Sequence, residues 1–297
     1  MLKSQRLVKL YAHLCCVCAL VFCLSHYAQA GNVGHVFIIS FDGGKPSVMH
    51  DSNMPLFKRM QQEGASTMQG FTVVPSLTLV SHTSMLTGVQ PNKHLIDWNE
   101  WTPDKGLVQV PTIFALAKQQ GLITGLIAGK DKFKHLNTAH SLDLFAIPVR
   151  SAQEVANTAA EFIRVKKPNL TFIHFADSDS SGHEFGWGSA QQKAAFAAED
   201  IALDTVRKAI AQAGIERDSV IMLTADHGGH DKTHGSTRLE DMHIPWVTWG
   251  KGVKPGLELK QRINTYDTAA TALWLLGVAI PKEFDGVPVQ AAFSTRN

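Results

Sequence analysis

Ser219-Val220-Ile221-Met222-Leu223-Thr224-Ala225-Asp226-His227-Gly228-Gly229-His230-Asp231-Lys232-Thr233-His234-Gly235 begins as an apolar run and ends as a polar cluster. Residues 219–223 have the length and branched side chains of a buried strand. Immediately after it come three histidines, two aspartates and three glycines. Carboxylate and imidazole are the oxygen and nitrogen ligands of zinc, and glycine lets backbone fold closely around an ion. The stretch therefore reads as a strand whose carboxyl end carries metal ligands, with His227, His230 and His234 all candidates.

The same alternation runs outward along the chain. Strands are expected at 36–41, 71–74, 122–128, 170–175, 219–223 and 246–249, and helices at 54–63, 78–86, 112–120, 152–165, 191–213 and 268–276. Gly64 and Gly88 stand where two of these helices should stop. Such an order predicts an α/β fold of three αβα layers around a mainly parallel sheet. In that architecture function gathers just beyond the carboxyl ends of the strands.

Residues 1–30 read as a secretory leader. Lys3, Arg6 and Lys9 precede an apolar core at 14–24, and Ala28-Gln29-Ala30 is a small-residue cleavage signal. All of Cys15, Cys16, Cys18 and Cys23 lie within it, so disulfides and thiolate chemistry are excluded from the mature chain, residues 31–297, read as one catalytic domain. The whole chain has 28 basic and 26 acidic residues; without the three leader cations, 25 basic face 26 acidic. That balance gives no electrostatic case for a nucleic acid polymer or a stable membrane association as partner. The expected location is periplasmic or secreted.

Three other strand ends carry matching chemistry. Residues 36–41 run into Asp42-Gly43-Gly44, and residues 170–175 into Ala176-Asp177-Ser178-Asp179-Ser180-Ser181-Gly182-His183. Residues 71–74 meet Pro75-Ser76-Leu77-Thr78, which sets a hydroxyl at the start of a helix. Each of these alone is ordinary turn or cap chemistry. Their joint placement at strand ends is what points to one site. Asp177 and Asp179 both remain candidates at this level.

This set resembles the alkaline phosphatase superfamily, most of all its type I phosphodiesterase and nucleotide pyrophosphatase branch. The similarity covers nearly all of the mature chain, including Tyr266-Asp267-Thr268 through Gly277 to Asp285-Gly286. The segment from Pro75 to Gly88 is similar to the nucleophile motif, which implies Thr78 as nucleophile. Asp179 and His183 match a D-x-x-G-H element, Asp226-His227 a D-H-G element, and His234-Gly235 the last metal histidine. The resemblance implies an alkaline phosphatase-like fold, and the intervals between the motifs leave no room for the large cap domain of the superfamily's phosphomutases. It also implies two divalent metal ions, zinc first, with manganese or iron compatible with the same ligands. Asp42, Thr78, Asp226 and His227 would hold one ion, and Asp179, His183 and His234 the other.

The implied reaction is hydrolysis of a small-molecule phosphate ester through a phospho-threonine, phosphodiesters ahead of monoesters. Phosphomonoester or phosphonate hydrolysis on the same site is the alternative, and a non-catalytic metal- or phosphate-binding protein the rival outside enzymology. Within the motifs, Asp179 is preferred to Asp177 for its four-residue offset to His183. His234 is preferred to His230, which becomes a pocket residue. Ser81 stands where nucleotide pyrophosphatases are expected to place a phosphoryl-binding asparagine, and is taken as substrate-binding with Lys130, Trp98 and His230. The C/S-x-P-x-R motif of sulfatases is absent from the sequence.

Overall fold

The structure is a computed structural model that describes residues 33–148 and 151–294. The expected leader lies outside these residues. Strands β1 (His35–Phe41), β2 (Ala65–Phe71), β3 (Thr124–Ala128), β4 (Leu144–Ala146), β5 (Leu170–Phe175), β6 (Ser219–Thr224), β7 (His243–Gly250) and β8 (Leu257–Glu258) form one sheet, ordered β4-β3-β5-β1-β6-β7-β2-β8. Strand β7 runs antiparallel to β6 and β2, and the other pairings are parallel.

Strand β1 shows why its sequence is apolar without alternation. Val36 and Ile38 enter one core with Leu79, Phe114 and Leu273, which come from helices Thr78–Thr87, Ile113–Gln119 and Asp267–Leu275. Phe37, Ile39 and Phe41 enter a second core with Phe57, Val155 and Leu203, from helices Pro55–Glu63, Ala152–Lys166 and Ala190–Gln212. A strand covered on both faces is apolar toward both, and the three-layer αβα arrangement follows. Ser189 and Ser151 cap the two long helices by accepting from Gln192 N and Glu154 N.

Three expectations shift. The strand looked for at 71–74 is β2, ending at Phe71, because Ala65-Ser66-Thr67-Met68-Gln69-Gly70 carries no apolar period and owes its order to antiparallel pairing with β7. Strands β4 and β8 have three and two residues, too few to show a period. Residues after β5 form helix Asp177–Phe185, an element absent from the expected helices. Acidic Asp177 and Asp179 in its first turn suit the positive end of the helix dipole.

The strand order positions the site. Strands β3, β5, β1 and β6 are consecutive parallel neighbours, so the residues following each of them emerge along one edge of the sheet. These are Lys130, Asp179, Asp42 and Asp226.

Candidate metal centre

Each aspartate at this edge keeps one oxygen unused. Asp226 Oδ1 accepts from Gly43 N at 3.1 Å and His227 N at 3.0 Å, which ties the ends of β6 and β1 together. Asp42 Oδ2 lies 2.8 Å from His174 Nε2 and 2.6 Å from Lys130 Nζ. Asp179 Oδ2 is 2.5 Å from the same ammonium. The remaining atoms, Asp42 Oδ1, Asp179 Oδ1 and Asp226 Oδ2, are buried with no hydrogen-bond partner. Orphaned carboxylate oxygens are rare in folded proteins and mark a place where a cation fits.

The histidines complete the pattern. His227 Nδ1 donates to Gly228 O at 2.8 Å, His234 Nδ1 to Ser76 O at 2.8 Å, and His183 Nδ1 to Lys232 O at 3.0 Å. A carbonyl can only accept, so each Nδ1 carries a proton and each Nε2 offers its lone pair when the ring is neutral. His227 Nε2 lies 3.2 Å from Asp226 Oδ2, 3.5 Å from Asp42 Oδ1 and 3.3 Å from Thr78 Oγ1. His183 Nε2 and His234 Nε2 lie 3.4 and 3.8 Å from Asp179 Oδ1. A tetrahedral ion with bonds of about 2.0–2.1 Å has donors roughly 3.3 Å apart, so both clusters fit divalent cations of the zinc type. Asp42, Asp179 and His227 also offer atoms within 4.8 Å of one another, which places Asp179 between the two clusters.

Electrostatics favour the same conclusion. Burial raises the Asp226 carboxyl well above its usual range, and the Asp42 and Asp179 charges add to this. Burial opposes the Asp42 charge too, but Lys130, His174 and His227 outweigh it and hold that carboxyl low. Burial, with His234 alongside, pushes His227 down to about 3, which keeps its ring neutral. Even with Asp226 driven toward its protonated form, three buried acids face one ammonium, and divalent cations would let all three ionise together.

Local sequence explains the geometry. Asp179 and His183 share a helix face at i, i+4. Trp187 packs over Gly229 so closely that a Cβ there would collide with the indole, and its N–H donates to Gly43 O at 3.1 Å. His82, behind Thr78, donates from Nδ1 to Thr78 O at 2.8 Å and meets Ser40 Oγ at 2.8 Å through Nε2. It acts as a buttress, buried against Phe133 and Phe172.

Asp42, Thr78, Asp179, His183, Asp226, His227 and His234 thus come together. Asp177 does not join them: its Oδ2 accepts from Ala152 N at 2.8 Å, at the start of helix Ala152–Lys166. His230 turns away as well, its Nδ1 being 2.7 Å from Asp241 Oδ1, and it braces the loop rather than the pocket. Ser81 is a correction. Its hydroxyl donates to Asp226 O at 2.8 Å, lies 2.7 Å from Thr72 Oγ1 and is fully buried, so it supports the end of β6 instead of meeting substrate. Trp98 is another, because its indole N–H donates to His135 Nε2 at 3.0 Å and its ring stands edge-on to that imidazole. Lys130 is in the site, though placed against carboxylates.

A cavity of about 480 Å³ opens over Thr78, Lys130, Asp179, His183 and His234. Asn99, Trp101 and Lys132 also line it. Asn99 Oδ1 accepts from Leu79 N at 2.9 Å, which fixes its amide beside the start of the Thr78 helix. Trp101 lies tilted against His135, ring centres 4.5 Å apart. His174 was missed too. Its one signal was a histidine inside the apolar run of β5.

The sequence signature of the type I phosphodiesterase / nucleotide pyrophosphatase family matches residues 36–120 and 130–270, a span that holds every residue of both clusters. The chain belongs to this family. Other relatives of this type I phosphodiesterase family member carry mutase names. A phosphopentomutase of Symbiobacterium thermophilum is 25% identical over 147 residues, 50% of this chain and 35% of that protein. A 2,3-bisphosphoglycerate-independent phosphoglycerate mutase of Acetivibrio thermocellus is 31% identical over 146 residues, 47% and 26% of the two chains. The chain thus spans between 26% and 39% of curated mutases such as these. Among solved structures, murine ectonucleotide pyrophosphatase / phosphodiesterase 5, in an inactive T72A form with AMP, superposes with a TM-score of 0.74 at 16% identity, covering 88% of this chain and 100% of that one. A putative sulfatase from Bacteroides thetaiotaomicron gives 0.73 at 16%, covering 87% and 74%. At such identities these structures establish the shared fold alone.

Proposed function

We propose that this chain hydrolyses phosphate esters through a covalent phospho-Thr78. The observation that carries the reading is the position of Thr78: its Oγ1 lies 3.3 Å from His227 Nε2 of one cluster, at the first turn of helix Thr78–Thr87, on the wall of the cavity that Asp179, His183 and His234 of the other cluster also line. Divalent cations held by the two clusters would lower the pKa of the Thr78 hydroxyl and neutralise charge on the phosphoryl oxygens.

The chain's own groups then have distinct tasks. Thr78 gives up its proton to water, and its oxygen bonds phosphorus as the ester P–O bond breaks; the departing alkoxide takes a proton from solvent. In the second half, a water oxygen bonds phosphorus as it gives up a proton, the bond from phosphorus to Thr78 Oγ1 breaks, and the Thr78 oxygen takes a proton back to restore the hydroxyl. The helix N-terminus favours the anionic phosphoryl group. Asn99, held through its oxygen, has its amide N–H groups free to donate.

Membership of the family supports phosphodiesters as the preferred substrates. Phosphomonoesters are a second reading, favoured by the presence of both Lys130 and Lys132 on the cavity wall, since a monoester carries the larger charge. Zinc is the proposed cation, and export is proposed on the composition of residues 1–30. Among the described residues no helix is long and apolar enough to cross a membrane. Purified protein is expected to hydrolyse a nitrophenyl phosphodiester, to lose activity on chelation and to regain it with zinc. A protein that binds zinc yet turns over neither diesters, monoesters nor phosphonoacetate would defeat the proposal.

A further inference from the structure

Lys130 bonds to one aspartate of each cluster. Its ammonium is 2.6 Å from Asp42 Oδ2 and 2.5 Å from Asp179 Oδ2, and its side chain is only 17% exposed. The orphaned Oδ1 atoms of the same carboxylates face the other way, toward His227 in one cluster and toward His183 and His234 in the other. The lysine follows β3, next to β5, and β5 lies next to β1, so the strand order brings it to this point. Lys132 lies 3.6 Å from Glu100 on the outer wall and cannot make these bonds while so placed.

We propose that Lys130 is a built-in counter-cation: it holds the acid cluster together in the metal-free chain and competes electrostatically with divalent cations for it. The idea rests on the two-cation reading of the clusters. Three buried carboxylates converge at this edge of the sheet, and Asp42 and Asp179 both bond to this one ammonium. Without it the metal-free fold would hold buried carboxylates facing one another with no fixed cation between them, a costly arrangement. With cations bound, the same lysine is a like charge a few ångströms away, and so lowers their affinity. Lys130 is thus a positioning residue that makes metal loading reversible instead of a condition for folding.

The test compares wild type with Lys130→Met and Lys130→Gln by thermal melting, with chelator and with saturating zinc, and by zinc competition against a chromophoric chelator. Both variants are expected to melt several degrees lower than wild type in chelator, with a smaller loss in zinc. Zinc should bind them at least about tenfold more tightly, since removing a nearby positive charge favours a divalent cation. Equal losses in both states with unchanged affinity, or weaker zinc binding, would overturn the proposal. A variant recovered only with metal is judged by zinc release to excess chelator, slower than wild type if Lys130 competes and faster if it merely supports the ligands. Wild type that neither binds zinc nor melts higher with it would overturn the two-cation reading instead.

Discussion

His174 Nε2 lies 2.8 Å from Asp42 Oδ2, and the Gly129 N–H faces the other nitrogen of the ring at 3.3 Å. An amide N–H can only donate, so Nδ1 accepts and Nε2 carries the proton that Asp42 receives. Burial, the main influence on this imidazole, lowers its pKa and keeps the ring neutral. The pair orients Asp42 so that Oδ1 is free for a cation. His174→Ala is expected to weaken zinc binding about 10–100-fold, as loss of a group behind a ligand does, which competition with a chelator would measure. The contrast with the tighter binding expected of Lys130→Met separates orientation from charge.

Ser81 and Asn99 make opposite predictions. Ser81 bonds to Asp226 O and Thr72 Oγ1, so Ser81→Ala should lower stability by about 1–2 kcal/mol while leaving KM near the wild-type value. Asn99→Ala should raise KM or lower kcat with a smaller effect on unfolding. Denaturant titration and steady-state kinetics on both variants would decide between them.

Glu199 is fully buried on helix Ala190–Gln212, with Oε1 accepting from Ser178 N at 2.9 Å and Oε2 unpartnered. Burial raises its carboxyl well above the usual range. The unfolded chain therefore releases this proton at lower pH than the folded one. The resulting stability is full below the ordinary glutamate pKa and declines as pH rises toward the folded value. Glu199→Gln, which cannot ionise, is expected to be more stable than wild type near neutrality and to lack that decline.

His94 gives the mirror case on the acid side. Burial pushes its imidazole down from 6.5 to about 4. The unfolded chain takes up a proton near 6.5 and the folded chain only near 4, so stability is full above 6.5 and falls as pH drops through that window. Replacing His94 by Gln should flatten the slope of unfolding free energy against pH in this interval, though not abolish it, because the buried His82 and His174 are shifted in the same direction.

Most of the frame was legible because β1, β5 and β6 are buried on both faces and so announce themselves as mainly apolar runs, each followed by an aspartate of the two clusters. Thr78 was legible from its place at a helix start, and His183 from its offset to Asp179. What escaped was order imposed from a distance. Strand β2 is polar and exists through its pairing with β7. That Asn99 and Trp101 rather than Trp98 line the cavity depends on His135, some 34–36 positions later, whose Nε2 accepts from Trp98 Nε1 and Thr102 N. Ser81 was misassigned because motif position says nothing of which way a helix face turns, and that face lies against Asp226 O. For Lys130, a charge beside a strand end reads alike whether it meets solvent or two carboxylates.

Covalent trapping on Thr78 tests the central claim most directly. Zinc-loaded protein would be mixed with a nitrophenyl phosphodiester, quenched in acid during turnover, digested and examined by mass spectrometry. The peptide containing Thr78 is expected to carry the phosphoryl group of the substrate, and Thr78→Ala to lose activity by about a thousandfold or more with its zinc binding largely retained. Turnover with Thr78 unmodified at every quench time, together with a Thr78→Ala variant as active as wild type, would contradict the account.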